Sequence, residues 1–273
     1  MRRIGLLGGT FDPVHRGHVD LARLARERLR LERVLLAPAG VQPLKSGEVP
    51  GASWEERLRM VTLAVEGVAG LEASAVDAPR ESGRPNYSAE TVERLAEELA
   101  GDGDATEIIF LMGADAFAGF RRWHDPEGLM RRADLAVVSR PGYELPREGL
   151  EVAKLMPEGA KFLGKEELGG GDGEDGAEER GGGEQERSGE KRRDGERERS
   201  GEGRGISGMS EEANSEALVY LCGSALVRVY VLKEMAEDIA ATALRAELAQ
   251  GRGWEWLDPR VAEYVRARGL YGS

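Results

Sequence analysis

The chain of 273 residues holds one cysteine, three histidines and only 5% aromatic residues. A lone Cys222 excludes an internal disulfide, so the fold must rest on its core, and a reducing cytoplasm is the expected compartment. Cys222 itself reads as a small apolar core residue. Long apolar runs are also missing. The most apolar stretch, ALVYLCGSALVRVYVL at 217–232, is interrupted by Arg228 and falls short of the roughly 18–20 residues of a spanning helix, so it reads as core strands. At the start, MRRIGLLGGTFDP carries two arginines, but glycines and then Asp12 and Pro13 break its apolar run, which does not suit a signal peptide. Positive charge is not in excess: a formal net charge of −12 argues against general affinity for nucleic acid or an anionic membrane. Neither common phosphate loop occurs. GLLGGT is not G-x-G-x-x-G, and no G-x-x-x-x-G-K-[ST] is found, so the dehydrogenase and P-loop readings lose their main support.

What is present is organised. Short apolar runs at 3–8, 33–38, 71–76, 106–113 and 134–141 predict strands. Between the first two, Leu21, Leu24, Ala25 and Leu29 recur at helical spacing among arginines. Ser53 and Glu56 predict a capping box opening a second helix, with Leu58, Val61, Leu63 and Val65 as its apolar positions. A third helix is predicted from about Ser88 to Leu99. Two more follow near 240–249 and after Asp258-Pro259. Strand then helix, repeated, implies right-handed crossovers. The expected fold is α/β, a Rossmann-like doubly wound parallel sheet with a small helical C-terminal subdomain. Residues 169–205 are glycine and charge with a single apolar residue, Ala177, too little to offset the entropy of ordering. They predict a disordered insert at 166–215, between a first part of the α/β domain at 1–165 and its completion plus the helical subdomain at 216–273.

In an open parallel sheet the ligand lies beyond the carboxyl ends of the strands, and the sequence GGTFDPVHRGH, residues 8–18, falls there. Gly8 and Gly9 let backbone N–H groups approach a ligand, Pro13 stiffens the loop, and His18 falls near a helix start, where N–H groups favour an anion. A metal pair of His15 and His18 lacks the companions of a zinc site: there is no H-E-x-x-H and no cysteine set. Two imidazoles beside phosphate oxygens instead donate hydrogen bonds and, when protonated, offset charge. That combination suits phosphoryl or nucleotidyl transfer.

The stretch resembles the T/HxGH signature of the nucleotidylyltransferase superfamily, and its fuller form resembles bacterial nicotinate-nucleotide adenylyltransferases. The likeness continues through NYSAET (86–91), FLMGADAFAGFRRW (110–123), AVVSRPGY (136–143), IAATALR (239–245) and LDPRVAEYVRARGLY (257–271). It implies in-line attack by the phosphate of nicotinate mononucleotide on the α-phosphorus of ATP, giving deamido-NAD and pyrophosphate, with Mg²⁺ accompanying ATP. By the same resemblance His18 donates to the α-phosphate and His15 assists on the ATP phosphates. Thr10, with the Gly8 and Gly9 backbone, meets the nucleotide, and Lys45 reaches a phosphate. Thr242 and Arg245 grip the β- and γ-phosphates, Asp115 accepts from the adenosine ribose, and Arg140 lies near the phosphates or adenine. Trp123 stacks on the pyridine ring, while Tyr87 and Ser88, at the start of the third helix, bring N–H groups to the nicotinate carboxylate. The sequence departs from the family at Leu44, where histidine is more usual, and at Ala240-Ala241, where two serines are usual. Phosphopantetheine adenylyltransferase, which shares the signature, a nucleotide-binding module without turnover, and a scaffold acting through the insert stand beside this reading as alternatives.

Overall fold

Side chains along Arg2–Gly9 (β1) alternate between two cores: Ile4 and Leu6 face one side of the sheet and Leu7 the other. The same alternation runs through Arg33–Pro38 (β2), Thr106–Gly113 (β4) and Asp134–Val138 (β5). A strand buried on both faces needs helices above and below it. The computed structural model describes residues 1–41, 50–101, 105–139, 148–167, 216–232 and 240–272. On the Leu7 face lie Arg16–Arg28 (α1) and Trp54–Val65 (α2); on the Ile4 and Leu6 face lie Ser88–Ala100 (α3), Ala114–Phe117 (α4), Pro126–Met130 (α5) and Gly149–Ala153 (α6).

Among the described residues eight strands form one sheet, ordered β3-β2-β1-β4-β5-β8-β7-β6, with β3 at Leu71–Ala73, β6 at Lys161–Glu167, β7 at Glu216–Cys222 and β8 at Ala225–Leu232. From β3 to β8 every pairing is parallel, as expected of the doubly wound fold. The connections run outward from β1 through β2 to β3, then return to β4 on the other side of β1. The switch in direction therefore falls between β1 and β4.

Two features differ from expectation. The sheet is mixed, because β7 and β8 are joined by a tight turn at Gly223 (φ 60°), which only antiparallel strands permit, and β6 adds antiparallel to β7. The polar β6, KFLGKEE, is an edge strand and lacks the apolar signal of a buried one. Strand β3 stops at Ala73 rather than residue 76, since the chain turns where Ala78 N–H bonds the Ala75 carbonyl. The C-terminal helices Ala241–Leu248 (α7) and Pro259–Arg268 (α8), expected there, share a core with α1 and α2, through Leu244, Leu248, Val261 and Val265. The ends of β6 and β7 face each other, with Glu167 opposite Glu216. The remainder of the insert expected at 166–215 lies outside the described residues, as do the last residues of the strand expected at 134–141.

The predicted capping box of α2 is formed: Glu56 N–H donates to Ser53 Oγ (3.2 Å) and Ser53 N–H to Glu56 Oε2 (2.9 Å). The buried stripe of that helix is shifted from the predicted one. It runs Arg57, Met60, Val61, Ala64 and Val65, while Leu58 and Leu63 are only partly buried.

Candidate active site

The GGTFDP segment leaves β1 at the switch point and is held from three directions. Arg57, only 2% exposed, donates through Nη1 to the Thr10 carbonyl (2.7 Å) and the Ala39 carbonyl (2.9 Å), tying together the loops that follow β1 and β2. Desolvation lowers the pKa of this guanidinium, with the Asp12 charge opposing it. Asp12 is buried and saturated. Its carboxylate accepts from Gly51 N–H (2.8 Å), Ala52 N–H (3.1 Å) and the Tyr271 hydroxyl (2.8 Å). Arg245 Nη1 donates to the Asp12 carbonyl (2.8 Å) and lies 3.4 Å from its carboxylate. A buried carboxylate so well supplied with donors rigidifies what it joins. At Gly9 a Cβ would come within 3.2 Å of the Phe11 ring, so the aromatic side chain lies where only glycine fits without displacement.

His15 is the N-cap of α1, in extended backbone (φ −141°, ψ 171°), and His18 is its third helical residue. These are the positions usually taken by Ser or Thr and by Glu or Gln in a capping box. His15 N–H donates to His18 Nδ1 at 3.3 Å. An acceptor Nδ1 puts the proton of the neutral ring on Nε2. The ring is further held by His15, with centroids 3.8 Å apart, and by the edge of Phe11 at 4.8 Å. His18 is thus a donor of fixed orientation at a helix N-terminus.

A cavity of about 640 Å³ opens beside it, across the carboxyl ends of β1 and β4. Gly8, Gly9, Thr10 and His18 line one part; Tyr87 and Ser88, at the start of α3, with Trp123 and His124, line another; Asp115, in the first turn of α4, also lines it. Trp123 both lines the cavity and packs edge-on to Phe110 (6.1 Å) and Phe120 (5.4 Å), so the core and ligand-facing roles coincide in one residue. Tyr87 stacks on His124 with centroids 4.0 Å apart.

Eight residues expected at the site from the sequence therefore meet at one cavity: Gly8, Gly9, Thr10, His18, Tyr87, Ser88, Asp115 and Trp123. His15 lies behind His18. Thr242 and Arg245 are not among the lining residues. Arg245 is engaged with Asp12, and its Nη2 donates to Thr242 Oγ1 (3.4 Å), so in this arrangement the pair braces the loop rather than facing the cavity. Lys45, Leu44 and Arg140 lie outside the described residues. Sequence reasoning missed Arg57, Asp12 and Asn86. Arg57 had a signal: it stands three and four residues before Met60 and Val61, on the buried stripe.

A family model described as cytidylyltransferase-like matches residues 6–167. Over 270 residues the chain is 33% identical to a protein of Stenotrophomonas maltophilia named a probable nicotinate-nucleotide adenylyltransferase, covering 97% of this chain and 95% of that one. The chain belongs to the cytidylyltransferase-like family, among its nicotinate-nucleotide adenylyltransferases. A protein of the same name from Desulfatibacillum aliphaticivorans is 29% identical over 270 residues, covering 98% of this chain and 99% of that one. The adenylyltransferase so named in Solibacter usitatus is 42% identical over 149 residues, 54% of this chain and 75% of its own. The fold is also similar to that of Plasmodium falciparum nicotinic acid mononucleotide adenylyltransferase complexed with NaAD, at a TM-score of 0.59 and 10% identity, covering 99% of this chain and 98% of that one. No helix among the described residues is long and apolar enough to cross a membrane.

Proposed function

We propose that this protein is a cytoplasmic enzyme that transfers the adenylyl group of ATP to nicotinate mononucleotide, forming deamido-NAD and releasing pyrophosphate. The observation that carries the reading is His18: its Nδ1 accepts from the backbone, its remaining nitrogen is a donor, and it lines the same cavity as the glycine loop and the aromatic group around Trp123. The attacking phosphate is already an anion at neutral pH, so no nucleophilic side chain is required. Its oxygen forms a bond to the α-phosphorus as the bond from that phosphorus to the β-phosphate bridging oxygen breaks, and pyrophosphate leaves with the electron pair. The protein's task is alignment and stabilisation of charge.

In this reading His18 Nε2 donates to the α-phosphate, with His15 behind it, and Thr10 and the Gly8 and Gly9 backbone cradle the triphosphate. Asp115 accepts from the ribose. Trp123 stacks on the pyridine ring, and the start of α3 at Tyr87 and Ser88 receives the nicotinate carboxylate. Lys45, Arg140, Thr242 and Arg245 complete the phosphate contacts when ATP is bound, Arg245 by exchanging Asp12 for phosphate oxygens. The donors around the loop, imidazole, hydroxyl and backbone N–H, suit phosphate oxygens, so Mg²⁺ is taken to enter on the triphosphate and to offset its charge.

The test is pyrophosphate release from ATP with nicotinate mononucleotide, its amide and phosphopantetheine in parallel. The expected result is turnover fastest with nicotinate mononucleotide. Preference for phosphopantetheine, or ATP binding without turnover on any of the three, overturns the proposal.

A further inference from the structure

Three separate segments meet at the start of α3, and one side chain joins all of them. Asn86 is 5% exposed and immediately precedes Tyr87, the N-cap of α3. Its backbone N–H donates to the Val41 carbonyl (2.8 Å), and its Oδ1 accepts from Val41 N–H (3.1 Å), so the loop after β2 is bound on both of its polar groups. Its Nδ2 donates to the Ala78 carbonyl (2.9 Å), to Asp77 Oδ1 (3.0 Å) and, more weakly, to the Asp77 carbonyl (3.3 Å). Asp77 in turn accepts from Thr91 Oγ1 (2.6 Å), one turn into α3, and from Arg94 (3.3 Å). The junction is close-packed: a Cβ on Gly40 would stand 2.7 Å from Asn86 Oδ1 and from the Pro79 backbone.

We infer that Asn86 is a positioning residue for the second nucleotide, fixing the start of α3, and with it Tyr87 and Ser88, against the loop that follows β2. The inference rests on the adenylyltransferase reading. The physical case is that Asn86, itself buried, supplies donors and an acceptor to the backbone of two loops and to the buried Asp77. With the amide lost, the Val41 N–H and the Ala78 carbonyl lose this partner, and the start of α3 is left with the Asn86 backbone bond to Val41 and the Thr91 and Arg94 contacts to Asp77. The Tyr87 ring then loses its fixed place on His124, beside Trp123. ATP, which in this reading sits on the loop after β1, makes its contacts elsewhere and is spared. A group placed a fraction of an ångström from its productive position costs affinity for the ligand it orients.

The experiment compares three folded proteins in the pyrophosphate assay: wild type, Asn86→Asp and the exchange Asn86→Asp with Asp77→Asn. Asn86→Asp sets a second carboxyl against the buried Asp77, whereas the exchange restores one amide beside one carboxylate. The single variant is expected to raise KM for nicotinate mononucleotide about tenfold or more, with kcat and KM for ATP within about threefold of wild type. The exchange is expected to recover most of that loss. Should Asn86→Asp fail to fold in a thermal melt, Asn86→Ser, which keeps an acceptor for Val41 but drops the Nδ2 donations, is expected to show the same split at about threefold to tenfold. An unmoved KM for nicotinate mononucleotide, or an equal rise in both KM values, overturns the inference while leaving the adenylyltransferase reading intact. Wild-type protein that releases no pyrophosphate overturns that reading and this inference together.

Discussion

The two ends of the parallel sheet treat buried ionisable groups in opposite ways. At the amino ends of the strands, Arg3 donates to Glu107 (2.9 Å), to the Tyr230 hydroxyl (2.9 Å) and to the Leu29 carbonyl (2.6 Å). Beside it, Asp134 accepts from Arg228 N–H (2.8 Å), and Arg228 pairs with Glu166. These charges are consumed among themselves. At the carboxyl ends, Asp12 and Arg57 are buried as Asp134 is, but their hydrogen bonds go mostly to backbone, and they hold the loop that presents His18 to a cavity. Buried charge by itself therefore does not mark a site in this molecule. What marks it is a charged framework that ends on a donor facing open space.

Removing that donor is expected to have the largest effect. His18→Ala should lower kcat/KM for adenylyl transfer by about 10²–10⁴-fold, while costing only about 1 kcal/mol of stability for the lost capping contact. Steady-state kinetics beside a urea melt separate the two, and a rate within a fewfold of wild type would remove His18 from the chemistry.

At the opposite end the expected effect is on stability alone. Burial, and then the hydrogen bond with Glu107, push the Asp134 carboxyl up to about 7 from its ordinary 3.8, against the pull of Arg228. The folded protein then keeps a proton that the unfolded chain releases, so this contribution to stability is complete below about pH 4 and is lost as pH rises through 7. Linkage sets the loss on the order of 4 kcal/mol. Asp134→Asn keeps an acceptor for Arg228 N–H and removes the titration. Its stability relative to wild type should climb between pH 4 and 7 and then level off, with adenylyl transfer unchanged. A difference that does not vary with pH in denaturant titrations would contradict the assignment. Glu107, Arg3, Arg228, Glu166 and Tyr230 are the neighbours whose charges enter the balance.

Much of the framework can be read from residue patterns because burial on two faces leaves unbroken apolar runs, as in RIGLLG and TEIIFLMG, and because Ser53-Glu56 is a local signal satisfied within one turn. What escaped is of another kind. Edge strand β6 is polar because one side of it meets solvent, and KFLGKEE does not differ from a loop in composition. Arg57, Asp12 and Asn86 are polar residues whose partners lie far along the chain, and no local rule predicts which carbonyl will meet a guanidinium. The histidines were readable for a related reason: GGTFDPVHRGH gathers the loop, the cap and the donor within one stretch, whereas Arg245 shows its tie to Asp12 only once the chain has folded.

The smallest effect is expected at the hairpin of β6 and β7. Since Glu167 and Glu216 stand opposite each other, an Asn-Gly turn in place of residues 168–215 meets the geometry of a two-residue hairpin loop. Loop-closure entropy changes slowly with length, so stability should move by no more than about 3 kcal/mol, upward, and kcat/KM by less than about twofold. A large loss of turnover in a variant with an unchanged melting temperature would assign that segment a part in the reaction.

The Tyr271 hydroxyl reaches back across 259 positions of sequence to the Asp12 carboxylate. During synthesis, then, the loop bearing His18 waits for this clasp until translation has passed α8. A turn laid down ahead of α1 is thus among the last to be locked in each nascent chain.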